Sequence, residues 1–337
     1  MLRARGELSI GHVGISDIMT CMTDPADRLT PPSTRLMGVH SGALGDVILF
    51  AQALNALRAP GLRVALVAGG EKTRMLAELG AIDEPLDFNS LPMEDLFSGG
   101  PLESCTLPAR LGPAERLVSC LGEGDPAAES RLAGCCGARW ARFLPIRPPA
   151  GEQRHLLDVW AERLGLPAIV VPPWSATQAM RMQAERALAL AGADPLGPFV
   201  AMHPGSGSSA KCWPVAGYEE LARRLDLPTV LLLGPAEQER WGAKELEELK
   251  RRWAVLVCPS LVTLAGVLAL AEGFVGNDSG PSHLAASLGT PTIALFGPTQ
   301  SAHFAPRGPR VRTISHQPLA QLPAETVLAA LNQMLGL

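Results

Sequence analysis

Gly273-Phe274-Val275-Gly276-Asn277-Asp278-Ser279-Gly280-Pro281-Ser282-His283-Leu284 is the stretch that decides the architecture. Residues 273–276 read as a short buried strand, and residues 281–288 as a helix. Between them Asp278 and Ser279 offer N-cap side chains, Gly280 permits a sharp turn, and Pro281 suits a first helical turn, where its missing N–H removes no bond. A strand follows at 292–296. Strand, tight turn, helix, strand is the unit from which parallel sheets are wound.

The same punctuation repeats outward from this unit. On its N-terminal side come a helix at 176–191, a strand at 199–203, a loop at 204–214 and a helix at 215–225, then a strand at 229–233, a helix at 236–252, a strand at 255–257 and a helix at 260–271. A second series stands earlier. The apolar run 36–39 meets the glycine loop Ser41-Gly42-Ala43-Leu44-Gly45-Asp46, a helix passes through Val47, Phe50, Leu54 and Leu57, and a strand at 63–68 and a helix at 71–79 follow. Residues 112–137 are too rich in glycine and proline to assign, and an amphipathic helix at 152–164 stops at Gly165 and Pro167. Val170-Val171-Pro172-Pro173 reads as a linker between the two series.

The expected fold is α/β, with two doubly wound, Rossmann-like domains facing each other across a cleft. The expected boundaries are an irregular leader over 1–34, an N-terminal domain over 35–173, a C-terminal domain over 174–318, and a closing segment over 319–337 whose helix occupies 325–335. Ligands of such sheets sit beyond the carboxyl ends of the strands, where the loops considered below fall.

Composition narrows the function. The 337 residues carry 29 Lys+Arg against 33 Asp+Glu, a formal charge of −4, and 47% are hydrophobic. That is a globular chain without the basic footprint of a nucleic-acid binder. The lysines are only Lys72, Lys211, Lys244 and Lys250, so a lysine in a loop needs an explanation. The 7 cysteines follow no CxxC spacing, which argues against a disulfide framework or zinc site and for a reducing, cytoplasmic setting. Cys135-Cys136 reads as a pair of small apolar fillers near a turn, with a redox pair as the alternative. The apolar segment 261–275 is too short for a membrane span, so membrane contact is expected to be peripheral at most.

Three loops could carry chemistry. The free amides and dipole at the start of the 281–288 helix favour an anion such as a nucleotide phosphate, with His283 one turn away; Asp278 and Ser279 read equally well as plain caps. His203-Pro204-Gly205-Ser206-Gly207-Ser208-Ser209-Ala210-Lys211 lets backbone N–H groups approach phosphate oxygens and ends in a cation suited to a leaving pyrophosphate, or is a mobile surface loop. It lacks P-loop spacing. Loop 41–46 is a degenerate dinucleotide turn with Asp46 as cap or catalyst, and Glu237, after a strand, suits a ribose diol or is an ordinary first-turn glutamate.

In this order the loops resemble glycosyltransferase family 9, the heptosyltransferases of lipopolysaccharide core assembly. The matching stretches are Gly42-Ala43-Leu44-Gly45-Asp46-Val47-Ile48, His203-Pro204-Gly205-Ser206 with Lys211, Trp213 and Pro214, Phe274 through Ala286, and Leu295-Phe296-Gly297-Pro298-Thr299. The resemblance implies a GT-B fold with an N-terminal acceptor domain, a C-terminal nucleotide-sugar domain, and a last helix crossing back onto the first domain. It implies inverting transfer without a metal or other cofactor, from an ADP-sugar such as ADP-heptose to a lipopolysaccharide-core or other cell-surface glycan, at the inner face of the cytoplasmic membrane.

By resemblance Asp46 is the general base, and Gly42 and Gly45 form the glycine loop near the acceptor. Lys211 and Ser206 contact the donor phosphates, Glu237 lies near the nucleoside, and Asp278, Ser279, Gly280 and His283 form the donor signature. Two other readings stand beside it: a nucleotide-sugar 2-epimerase, which shares the two-domain architecture, and a sugar-nucleotide-binding protein that has lost catalysis, against which the presence of Asp46, Lys211 and His283 speaks.

Overall fold

The computed structural model describes residues 34–98 and 100–337. The leader expected over 1–34 lies, apart from Thr34, outside the described residues, and Thr34 is the first residue of a strand.

Two parallel sheets form the framework. In the N-terminal lobe, β1 (Thr34–Val39), α1 (Leu44–Asn55), β2 (Leu62–Ala68), α2 (Gly70–Glu78) and β3 (Glu84–Asp87) alternate, followed by α3 (Leu107–Leu111), β4 (Arg116–Ser119), α4 (Pro126–Cys136), β5 (Trp140–Phe143) and α5 (Leu156–Leu164). The strand order is β3-β2-β1-β4-β5. The C-terminal lobe contains α6 (Gln178–Leu190), β6 (Val200–His203), α7 (Val215–Arg224), β7 (Thr229–Leu233), α8 (Pro235–Arg240), α9 (Ala243–Arg252), β8 (Ala254–Val257) and α10 (Leu261–Leu270). It continues with β9 (Gly273–Asn277), α11 (Gly280–Ser287), β10 (Thr292–Phe296), α12 (Ser301–Phe304), β11 (Val311–Ser315) and α13 (Ala324–Leu335). Its order is β11-β10-β9-β6-β7-β8.

These are the doubly wound orders expected from the alternation. β1, β2, β6, β9 and β10 are buried over most or all of their length, because helices cover both faces of each sheet. In each sheet the winding reverses direction beside the first strand, between β1 and β4 and between β6 and β9. The loops that leave β1, β6 and β9 therefore open into crevices, and these are the loops singled out in the sequence.

Three expectations change. The unassigned stretch 112–137 holds β4 and α4; Asp125 caps α4 by accepting from the Ala127 and Ala128 amides, Pro126 opens it, and Gly137 closes it at φ 64°. Its glycine and proline are helix punctuation. The single helix expected over 236–252 is two, because Gly242 starts α9 with its N–H on the Glu245 carboxylate at 2.7 Å. The reading of Cys135 and Cys136 as small apolar fillers is unchanged: both are buried at the end of α4, where burial pushes both thiols up, against a redox role for the pair.

The third concerns α13, which among the described residues packs on the C-terminal lobe, against α7 and β10. Val327, Ala330 and Leu331 pack into the C-terminal core beside Leu221 of α7 and Ile293 of β10. The lobes are joined elsewhere. α1 lies against α11, with Leu44 so close to Gly280 that a Cβ there would stand 2.7 Å from Leu44 Cβ. Gln52 Nε2 donates to Ser287 Oγ at 2.9 Å, and His155 Nε2 meets the Ala305 carbonyl at 2.8 Å. Among the described residues no helix is long and apolar enough to cross a membrane.

Candidate active site

The crevices of the two sheets meet in one cleft of about 560 Å³. From the N-terminal side it receives the loop after β1. The His40 ring accepts from the Gly42 amide through Nδ1 at 2.9 Å, and Asp46, in the first turn of α1, accepts from the Ala43 amide at 3.1 Å. Gly42 is wedged between them: a Cβ there would lie 2.9 Å from Asp46 Oδ2 and crowd the His40 ring. Burial lowers the His40 pKa to about 4, helped by the nearby Lys72 charge, so the ring is neutral at ordinary pH.

The C-terminal side supplies two loops held together by Asn277. Its side chain donates to the Pro204 carbonyl at 2.8 Å and accepts from the Trp213 amide at 2.9 Å. This buried amide fixes the 204–213 loop against the end of β9. Asp278 and Ser279 do not cap α11 with their side chains: Ser279 occupies the N-cap position with its Oγ 3.4 Å from Ser282 Oγ rather than on a backbone amide, and the Asp278 carboxylate pairs with Lys211 at 2.8 Å. The start of α11 thus lines the cleft at Ser279 and Gly280, with a lysine held beside it, while Pro281 carries no N–H and the Ser282 amide donates to the Ser279 carbonyl at 3.1 Å. Ser206 Oγ donates to the Asp278 carbonyl at 2.7 Å, so its proton ties the loops instead of pointing into the cleft.

His283 is buried, its Nδ1 has no partner among the described residues, and burial lowers its pKa against the opposing charges of Asp278 and Asp46. It rests on Gly45 from across the cleft.

At the far end Glu237 is only 2% exposed. One carboxylate oxygen accepts from the Gly234 amide at 2.9 Å, while Oε1 is buried without a partner among the described residues. Gly205 leaves room for this carboxylate, which a side chain there would overlap. An unpaired buried acceptor calls for a hydrogen-bond donor. Leu232, Leu233, Pro235, Pro259 and Leu264 line the same end as an apolar sleeve for a flat ring.

All the residues expected to act, Gly42, Gly45, Asp46, Ser206, Lys211, Glu237, Asp278, Ser279, Gly280 and His283, line this cleft. The sequence reading missed His40 and Asn277, and it gave Lys72 no role although it counted it among the rare lysines. Lys72 Nζ donates to the Gly42 carbonyl at 2.6 Å.

The family model described as glycosyltransferase family 9 (heptosyltransferase) matches residues 154–331. The chain belongs to glycosyltransferase family 9. Family 9 relatives include lipopolysaccharide heptosyltransferase 1 of Pseudomonas aeruginosa, 41% identical over 112 residues, which is 33% of this chain and 32% of that protein. Lipopolysaccharide heptosyltransferase 2 of Escherichia coli K12 is 29% identical over 163 residues, 41% of this chain and 47% of that protein. The matched part thus spans about a third to a half of these curated relatives.

Among solved structures, a family 9 glycosyl transferase from Veillonella parvula superposes with a TM-score of 0.69 at 20% identity, covering 90% of this chain and 97% of that one. Escherichia coli ADP-heptose lipopolysaccharide heptosyltransferase II gives 0.67 at 19% identity, over 90% and 98%. The E. coli heptosyltransferase WaaC solved with ADP gives 0.61 at 20% identity, over 89% and 100%. These likenesses assign the GT-B fold to this family 9 chain.

Proposed function

We propose that this family 9 chain transfers heptose from ADP-heptose to a hydroxyl of a lipopolysaccharide-core or other cell-surface glycan acceptor, with inversion and without an essential metal. One observation supports the reading most strongly. Asp46 of the N-terminal lobe and the Lys211, His283 and α11 start of the C-terminal lobe line the same cleft.

In this reading the nucleoside lies in the apolar sleeve, with its ribose hydroxyls donating to the Glu237 carboxylate. The diphosphate lies at the start of α11, where backbone amides and Lys211 meet its charge. Asp46 takes the proton of the acceptor hydroxyl as that oxygen bonds to the anomeric carbon from the face opposite the diphosphate. The bond from the anomeric carbon to the phosphate oxygen breaks, and its electron pair leaves with ADP. The neutral His283 ring adds a hydrogen-bonding group over the reacting centre without adding charge. Ile146, Arg147 and Phe304 line the remaining wall, where the acceptor would enter. Enclosing the reactants between lobes keeps water from hydrolysing the donor.

Family membership favours transfer over the epimerase reading, and we place the reaction in the cytoplasm with at most peripheral membrane contact. The test is purified protein incubated with ADP-heptose, with and without extracted glycolipid acceptor. Acceptor-dependent release of ADP is expected from the native chain, with loss of transfer and retained ADP binding in Asp46→Asn. An epimerised donor without acceptor would replace the reading with the epimerase, and ADP binding without transfer to any acceptor would replace it with a non-catalytic binder.

A further inference from the structure

The first turn of α2 touches both lobes through consecutive side chains. Lys72 reaches behind the β1 loop to the Gly42 carbonyl at 2.6 Å, four residues before Asp46 in the chain. Glu71 reaches the other way. Its Oε1 accepts from the Leu261 amide at 2.7 Å, a residue of the C-terminal lobe. That amide is one of the orphan donors at the start of α10, and Ser260, the N-cap of α10, answers a different one, on Thr263. Leu261 itself lines the nucleoside end of the cleft.

A lysine half removed from water is a costly feature unless its charge is used. Burial lowers the Lys72 pKa, and the Asp46 charge opposes that shift. The ammonium therefore holds the backbone of the glycine loop and faces the carboxylate the loop presents. Charged or titratable groups face Asp46 from each neighbouring element: His40 after β1, Lys72 on α2, Cys120 after β4, and His283 on α11. Both histidines are lowered by burial and the thiol is raised, so Lys72 is the one cation among these four at ordinary pH.

We propose that Lys72 is a positioning residue for Asp46, acting through the Gly42 carbonyl, and that Glu71 anchors the same helical turn to the nucleotide-bearing lobe so that the base is set when the lobes are together. The inference rests on the reading of Asp46 as general base. It assigns to α2 a mechanical link from the nucleoside end of the cleft to the attacking end.

The experiment uses the full chain with Lys72→Met, Lys72→Arg, Glu71→Gln and Asp46→Asn. For Lys72→Met, kcat falls on the order of tenfold or more, as for a reacting group displaced by a fraction of an ångström, while ADP affinity holds. Lys72→Arg recovers part of kcat. Hydrogen exchange, read without any assay of transfer, speeds up over residues 40–46 in Lys72→Met and over 258–264 in Glu71→Gln.

Native kcat and native exchange in Lys72→Met, with Asp46→Asn inactive, would overturn the inference and leave the base assignment standing. Full activity in Asp46→Asn would remove the base assignment and the inference with it.

Discussion

His283 and Gly45 touch across the cleft so closely that a Cβ at residue 45 would stand 2.8 Å from His283 Cδ2. The contact joins the first turn of α1 to the first turn of α11, each at the edge of its own sheet's crevice. Gly45 is therefore glycine for reasons of approach. Gly45→Ala is expected to push His283 and the α11 start away from Asp46, with a strain cost of about 1–3 kcal/mol for an overpacked contact. Turnover should fall more than thermal stability suggests, and kcat measured beside the melting temperature checks this. A variant with native kcat would show that the contact does not set the distance between base and donor.

The Lys211–Asp278 pair stands at 2.8 Å with the lysine about one third exposed, so it adds little to stability. Its value is expected in binding. Lys211→Ala should leave the unfolding midpoint within experimental error while weakening ADP by roughly tenfold or more and adenosine hardly at all, since charge-assisted contacts to phosphate contribute on the order of 1.5–3 kcal/mol. Calorimetric titration of both ligands decides it. Unchanged ADP affinity would remove Lys211 from the phosphate site.

Glu237 predicts the complementary pattern. Glu237→Gln keeps an oxygen for the Gly234 amide but turns an amide group toward the ribose, opposing hydroxyl donors with another donor. Adenosine and ADP should weaken by a similar factor, about tenfold, whereas 2′,3′-dideoxyadenosine should bind both proteins alike. Equal affinity of native and variant chains for adenosine would place the ribose elsewhere.

Much of this was legible in the chain because buried parallel strands are written as unbroken apolar runs. Phe274-Val275 and Thr292–Phe296 announce themselves, and the Gly280-Pro281 turn between them marks a crevice. β3, β5 and β11 lie at sheet edges, read Glu84-Pro85-Leu86-Asp87, Trp140-Ala141-Arg142-Phe143 and Val311-Arg312-Thr313-Ile314-Ser315, and gave no such run. α4 was hidden by its own caps, since Pro126 and Gly137 look like loop residues until the Asp125 cap is set beside them. The site residues in glycine loops were visible because loops at strand ends are few. Lys72 and Asn277 were not assigned roles, because what they do depends on which distant carbonyl lies opposite them, and local pattern holds no trace of that. α13 shows the limit of resemblance: the apolar face of Val327 and Leu331 states that the helix packs, and only the fold states against what.

The last expectation concerns pH and the contact between lobes at His155. Its Nδ1 accepts from the Leu157 amide at 3.1 Å, which caps α5, so its proton sits on Nε2 and points at the Ala305 carbonyl. Burial lowers the pKa from its ordinary 6.5 to about 4, with Arg307 acting in the same direction and the Ala305 bond opposing. A second proton would go on Nδ1 and break the cap. The unfolded chain therefore binds a proton at this position more readily than the folded one, and stability present above about pH 6.5 is lost as pH falls toward 4. A shift of that size corresponds to at most about 3 kcal/mol. His155→Asn keeps an N-cap acceptor without a titrating ring. Urea unfolding of both proteins between pH 7 and 4 should show the native chain losing stability faster, the difference growing through that window. Parallel curves would mean that the His155 ring is not held neutral in the fold, and the latch to Ala305 would have to be reassigned.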